Sequence, residues 1–232
     1  VAAGLSLNPT FEARMSISLP RILLTGFDPF GGELINPSWE TVRALHGKRI
    51  GGHVVVARQL PTEFAASLRL LKATVREVKP AILLGVGQAG GRHQLSLERV
   101  AINLQDARIP DNAGAQPVDE PVIADGPAAY FSTLPIKAML AALHAAGLPA
   151  EISHSAGTYV CNHIAYAMLH LASKRRGLRA GFIHIPYLPV QAARRRGAAS
   201  MAQADMERGL TIALRTAATT MIDCKLGAGT ID

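Results

Sequence analysis

The stretch Ala81–Val86 carries no polar side chain. It follows Pro80, which ends a segment whose apolar residues Phe64, Leu68, Leu71, Val75 and Val78 recur at helical spacing. A strand without a polar face is typical of a sheet covered on both sides. One amphipathic helix covers only one side, so the rest of the chain must supply a second layer. Arg21–Thr25, Val54–Val56 and Gly181–Pro186 read as further strands, and Glu151–Ala156 as another short one. Helices fall between them. Asn36-Pro37 is an N-cap with proline at the first helical position, followed by the stripe Trp39, Val42 and Leu45. Thr62 is placed to cap the helix that begins near Phe64. Ile136, Leu140 and Leu143 mark a helix stopped by Gly147. Ser200 with Gln203 resembles a capping box ahead of a helix through Met206, Leu210, Ala213 and Ala217. Strands alternating with helices predict a single α/β domain: a three-layer α/β/α sandwich with a twisted, mostly parallel central sheet.

Residues 19–222 are expected to form that domain. Val1–Ser18 lack clear periodicity and read as an extension or appended remnant, with Met15 as a candidate natural start; residues 223–232 read as a tail. With 49% hydrophobic and 18% charged residues, 232 residues suffice for one substantial core. Two cysteines, Cys161 and Cys224, cannot form a disulfide framework, which fits a reducing compartment. No run approaches the roughly 18 apolar residues of a membrane span, and the N-terminus lacks the pattern of a secretory signal. The net charge of +7 raises the question of nucleic acid. Much of it is clustered in Lys174-Arg175-Arg176 and Arg194-Arg195-Arg196, with no interleaved aromatics, so solvated faces are the expected reading.

The chemistry is concentrated elsewhere. In Gly157-Thr158-Tyr159-Val160-Cys161-Asn162-His163 a cysteine stands where a strand turns into a helix whose stripe is Ile164, Met168 and Ala172. Unpaired N–H groups and the positive end of the helix dipole favour a thiolate there. The plainer alternative is a small buried hydrophobe. Gly85-Val86-Gly87-Gln88-Ala89-Gly90 matches the dinucleotide fingerprint, but that fingerprint requires a helix next. The apolar residues beyond it, Leu95, Leu97, Val100, Ile102 and Leu104, alternate with one break as in a strand, so no dinucleotide cofactor is expected. The glycines instead let the backbone approach a ligand or another segment. Gly26–Gly32 is a loop with two phenylalanines, Phe27 and Phe30, which either fold back on the core or line a pocket. Residues 105–127 read as a long, and therefore functional, loop.

Eight histidines are available to serve Cys161. His163 lies two residues along the same helix, roughly 200° round, and His170 about 180° round. His154 is on the strand leading into the site, with its direction open. His184 comes from a different strand and would need a carboxylate to orient its ring, for which Glu98 is a candidate. No HxxxH or CxxC spacing suggests a metal.

Several longer blocks carry a resemblance. They are Thr25–Gly32 with Asn36–Glu40, Gly85–Arg92, Glu98–Asn103, Ala107–Asn112, Gly157–His163 and Gly181–Tyr187. In content and order they resemble the pyroglutamyl peptidase I (pyrrolidone-carboxylate peptidase) family of cysteine peptidases. The resemblance implies a Cys-His-Glu triad on Cys161, His184 and Glu98, no cofactor or metal, a cytoplasmic location, a tetramer, and removal of N-terminal pyroglutamyl residues from peptides. It also implies that Phe27 and Phe30 flank the lactam ring and that Gln88 meets its amide edge. Tyr159 stands where the family usually has phenylalanine, so its hydroxyl is expected to alter affinity if the ring touches substrate. A nucleoside-phosphorylase-like enzyme, using the glycine loops for phosphate or ribose, and a non-enzymatic nucleic-acid binder are the alternatives. Neither accounts for the Cys-His-Glu set.

Overall fold

The computed structural model describes residues 19–229. The N-terminal extension lies outside the described residues, as do the last residues of the tail. The elements in chain order are β1 (Arg21–Phe27), α1 (Pro37–Arg43), β2 (Arg49–Ile50), β3 (His53–Leu60), α2 (Phe64–Val78), β4 (Ile82–Gln88), β5 (Leu95–Glu98), β6 (Val100–Ile102), β7 (Ala129–Phe131), α3 (Ile136–Ala145), β8 (Ala150–Ser153), α4 (Val160–Lys174), β9 (Arg179–Ile185), α5 (Pro189–Ala192) and α6 (Gln203–Thr219). Seven strands form one sheet in the order β2-β3-β1-β4-β9-β5-β8, and β6 and β7 form a separate antiparallel pair. The pairs β3/β1, β1/β4, β4/β9 and β5/β8 are parallel; β2/β3 and β9/β5 are antiparallel. The expected α/β sandwich with a mostly parallel sheet is the architecture observed.

The pleat of the central strands divides the core in two. Ile22 and Leu24 of β1, Ile82, Leu84 and Val86 of β4, and Ile183 and Ile185 of β9 face α1, α3 and α6. Leu23 and Phe27, Leu83, Ala180 and Phe182 face α2 and α4. Leu83 and Leu84 are both fully buried although they point in opposite directions. Each contributes about 1.5–3 kcal/mol by burial, so neither face of β4 tolerates a polar residue at these two positions.

The α4 face of β4 carries glycines. A Cβ at Gly85 would lie 2.4 Å from the Phe182 ring, and one at Gly87 would lie 2.7 Å from Cys161 Sγ. Bare backbone at these two positions lets the Phe182 ring and the α4 N-terminus settle onto the sheet. The glycine motif therefore serves close packing against a neighbouring segment, one of the two uses expected of it.

Helix ends agree with local signals in part. Asn36 caps α1, accepting from Ser38 N at 3.0 Å, with Pro37 at the first position. Helix α2 stops at Val78 before Pro80, and Gly147 follows the end of α3 with φ of 72°. Thr62 does not cap α2. Its hydroxyl donates to Asp28 O at 3.1 Å, and the Phe64 N–H is met by Asp111 Oδ2 at 2.8 Å, from the long loop. Ser200 and Gln203 do not form a box either: α6 begins after Ala202 with no side-chain cap, and Gln203 donates to Glu207 instead. Asp223, read as the first residue of the tail, accepts from the N–H groups of Lys137 and Ala138 and so caps α3. The packed structure thus reaches into the tail.

Candidate active site

Helix α4 places Cys161 at its second residue, and no side chain caps the helix at Tyr159. The sulfur lies deep, above Gly87 and beside Phe182, while the residue as a whole is half-buried. Gly87 pairs with His184 across the β4/β9 ladder, so thiol and imidazole occupy the same face of the sheet at neighbouring positions. Strand β5 lies on the far side of β9, with Glu98 opposite Phe182. The diagonal from Glu98 to His184 is closed by a 2.7 Å contact between Oε1 and Nδ1, and the two side chains are 2% and 4% exposed. A carboxylate oxygen accepts, so Nδ1 is the donor to it, and in the neutral imidazole Nε2 is then free to accept. The structure thus joins Glu98 to His184 directly and seats Cys161 over the register position beside His184 on the same face of the sheet.

Arg92 has no signal in the sequence beyond its place in a motif, yet it completes the site. Its Nη1 donates to the same Glu98 oxygen at 2.7 Å, and its Nη2 to Ser155 O at 2.9 Å. Imidazole and guanidinium therefore share Oε1, while Oε2 is buried without a partner among the described residues.

The electrostatics set a second influence beside the helix terminus. Burial, and then the Glu98 carboxylate, push the Cys161 thiol up to about 12, with the Arg92 guanidinium pulling it down. Desolvation works against the help expected from the helix terminus. A lone thiolate is therefore disfavoured, and the thiol needs a neighbouring base.

The other three candidate histidines lie in different surroundings. His163 is 4% exposed and packs edge-on against Phe64, with ring centroids 5.5 Å apart; burial and the Lys72 charge lower its pKa to about 4. His170 Nδ1 lies 2.9 Å from the Tyr130 hydroxyl. His154 is exposed beyond the end of β8. Among the described residues no group of three His, Cys, Asp or Glu side chains is arranged to hold a metal.

Phe27, Phe30, Gln88 and Tyr159 line one small cavity with Cys161, Asn36, Thr62 and Val160. Its free volume is only about 10 Å³, room for roughly one water. Phe27 ends β1 instead of lying in the loop, and it answers to both readings: it is 2% exposed and packs on Phe182 with centroids 6.4 Å apart, yet it also walls the cavity. Phe30 is half-buried and lies against Tyr159, centroids 6.2 Å apart. The Tyr159 hydroxyl donates to Pro110 O at 3.0 Å, so it engages the long loop. Burial, with the Asp111 and Cys161 charges, pushes its pKa up to about 12, so it stays a neutral donor. A wider groove of about 650 Å³, lined by Asp106, Arg108, Ile109, Gly157 and Thr158, shares the Tyr159 wall. A further buried residue without a sequence signal, Gln191, lies 3.0 Å from Gln88.

Comparison with known proteins extends this picture over most of the chain. The family model for pyroglutamyl peptidase matches residues 20–220. A pyrrolidone-carboxylate peptidase of Cupriavidus pinatubonensis is 59% identical over 210 residues, covering 90% of this chain and 97% of the relative. Its counterpart from Klebsiella pneumoniae is 53% identical over 208 residues, covering 90% and 97%. Among solved structures, pyroglutamyl peptidase I of Bacillus amyloliquefaciens superposes with a TM-score of 0.86 at 47% identity, covering 88% of this chain and all of that one. The pyrrolidone carboxyl peptidase of Thermococcus litoralis gives 0.82 at 38% identity, covering 86% and 93%. In sequence and in architecture alike, the chain belongs to the pyroglutamyl peptidase family.

Proposed function

We propose that Cys161, His184 and Glu98 hydrolyse the bond that follows an N-terminal pyroglutamyl residue, by way of a thioester on Cys161. The observation that carries this reading is the thiol seated over Gly87, in register with a histidine whose Nδ1 is held by a carboxylate at 2.7 Å. His184 Nε2 takes the thiol proton as sulfur attacks the pyroglutamyl carbonyl carbon. Because the thiol's own pKa is about 12, this transfer accompanies attack or just precedes it. Glu98 stabilises the imidazolium that forms. The carbonyl oxygen gains negative charge and is met by N–H groups at the uncapped start of α4, that of Cys161 included. His184 returns the proton to the departing amine, and the C–N bond breaks. Water, deprotonated by the same imidazole, then cleaves the thioester and restores the thiol.

The chemistry of the cavity walls suits a small uncharged ring, which the walls must part to admit because the free volume is only about 10 Å³. Phe27, Phe30 and Tyr159 offer apolar faces, and Gln88 an amide. A charged N-terminal amine would lose its hydration there without a partner, which disfavours ordinary peptides. The wider groove sharing the Tyr159 wall suits the leaving peptide. Neither alternative has use for a thiol beside an imidazole–carboxylate pair.

Two finer points belong to the same proposal. The protein works in the cytoplasm, as two unpaired cysteines favour; no helix among the described residues is long and apolar enough to cross a membrane. It assembles as a tetramer, a reading supported by the exposed apolar side chains Phe131, Met221 and Ile222. The activity is tested by release of a chromogenic amine from its pyroglutamyl derivative, with the prolyl derivative as control. The prolyl ring lacks the lactam carbonyl and carries a charged amine. Equal cleavage of both would sink the proposal.

A further inference from the structure

A primary amide presents two different ends, an oxygen that accepts and an NH2 that donates. Which end Gln88 turns to the cavity decides which substrate atom is welcome there. Its neighbours settle the matter. Gln191, in α5, is 3% exposed and is fixed first. Its Oε1 accepts the Leu188 backbone N–H at 3.1 Å, a group that can only donate. Its Nε2 lies 3.3 Å from Glu33 Oε2 and 3.4 Å from Ile35 O, which can only accept. Glu33 is ion-paired with Arg195, which holds its carboxyl below the usual range and keeps it an acceptor. The Gln191 amide therefore has one orientation. The same Nε2 lies 3.0 Å from Gln88, so the Gln88 atom that faces it must be the oxygen, because two NH2 groups there would repel. That leaves Gln88 Nε2 as the uncommitted end, with no hydrogen-bond partner among the described residues, on a side chain that lines the cavity with Cys161.

We infer that Gln191 is a specificity-positioning residue: it sets the polarity of Gln88, so that the pocket offers an N–H donor to the lactam carbonyl oxygen of the substrate ring. This rests on the pyroglutamyl reading of the cavity and adds a direction to it. A ring with a donor or a methylene in place of that carbonyl leaves the Gln88 NH2 unsatisfied, and the relay from Leu188 through Gln191 prevents Gln88 from turning over to suit it.

The test is a double-mutant cycle on the pyroglutamyl derivative. Gln191→Glu, made and compared in a Glu33→Gln background so that the new carboxylate does not face a second one, keeps the acceptor for Leu188 N–H and removes the donor to Gln88. The Gln88 NH2 then turns towards the introduced carboxylate, and its oxygen faces the lactam oxygen. kcat/KM is expected to fall about 10- to 100-fold, chiefly through KM, while iodoacetamide alkylates Cys161 at the wild-type rate. In a Gln88→Leu background the same change is expected to cost less than about twofold, because nothing is left to orient. Gln191→Met serves the same cycle should the buried glutamate prevent folding. It frees Gln88 to present either end, and its loss, about twofold or somewhat more, is likewise expected to vanish in the Gln88→Leu background. Losses that multiply across the two sites, or that fall on kcat together with the alkylation rate, would show Gln191 to be merely structural and overturn the inference alone. A wild-type enzyme that cleaves pyroglutamyl and prolyl derivatives equally would instead remove the functional reading, and this inference with it.

Discussion

Gly87→Ala separates the chemistry of the site from its packing. The added Cβ would stand 2.7 Å from Cys161 Sγ and 3.0 Å from two atoms of the Phe182 ring. Ordinary contact begins at 3.4 Å, so the sulfur must retreat by about 0.7 Å or the α4 terminus must lift. A displacement approaching 1 Å of a reacting atom costs on the order of 100-fold in rate. The strain itself is modest, about 1–3 kcal/mol, because a single methyl group is inserted. Gly85→Ala, one pleat earlier on the same face, supplies the contrast. Its Cβ would meet Phe182 at 2.4 and 2.6 Å and Met168 Sδ at 3.2 Å, a clash within the core rather than with the nucleophile. The expectation is that Gly87→Ala loses about two orders of magnitude in kcat/KM with a small change in Tm, whereas Gly85→Ala loses more stability for less activity. Steady-state cleavage of the pyroglutamyl derivative and thermal unfolding, run on both variants, read the two quantities. A Gly87→Ala enzyme with wild-type kcat/KM would refute the placement of the sulfur over this residue.

Four further outcomes are expected. His184→Ala should be nearly as damaging as Cys161→Ser, because triad members do not act additively, while His163→Ala retains most activity; assays on folded variants would reassign the base if that order reversed. Arg92→Gln removes the cation that lowers the Cys161 pKa, so the pH profile of iodoacetamide alkylation should move to higher pH, and an unmoved profile would contradict the charge balance described. Phe27→Ala should cost about 3–5 kcal/mol of stability because its ring is buried in the core, whereas half-buried Phe30→Ala should mainly raise KM; denaturant unfolding beside kinetics distinguishes them. His163, with its pKa lowered from 6.5 to about 4, stays neutral in the fold where the unfolded chain takes up a proton. Stability should therefore be intact above about pH 6.5 and decline towards pH 4, by up to about 3 kcal/mol from this group, and His163→Phe should flatten that decline in pH-dependent melts.

The features legible in the sequence are those governed by short-range rules. Strand β4 was legible because a strand buried on both faces can only be apolar. The stripes of α2, α4 and α6 were legible because 3.6-residue spacing survives whatever lies opposite. The cap of α2 was not, since its acceptor, Asp111, lies 47 residues away from Phe64 in sequence, and Thr62 next door is drawn off to Asp28. Rejecting the dinucleotide motif needed only the alternation after Gly90, but the purpose of Gly85 and Gly87 emerges only once α4 is laid across them. Cys161 and His184 were readable as candidates from their places at element ends. Their union with Glu98 depends on β9 inserting between β4 and β5, which chain order conceals. Arg92 and Gln191 act through partners brought together by folding, and the burial that raises the thiol's pKa belongs to no local pattern.

The loop from residue 105 to 127 has a kinetic meaning. Asp111 caps α2, the Asn112 N–H reaches Thr62 O, its side chain reaches Pro29 O, and Pro110 receives the Tyr159 hydroxyl. One segment thus ties together the phenylalanine loop, the start of α2 and the N-cap of α4, each remote from it in sequence. These ties can close only after the strands bearing those termini have paired, since non-local contacts wait on loop closure. The pocket is then expected to assemble late, and its walls to open together at a free energy below that of global unfolding. In native-state hydrogen exchange the amides of Phe64, Asn112 and Ala115 should share one opening free energy, well below that of Leu83 and Leu84 in the sheet.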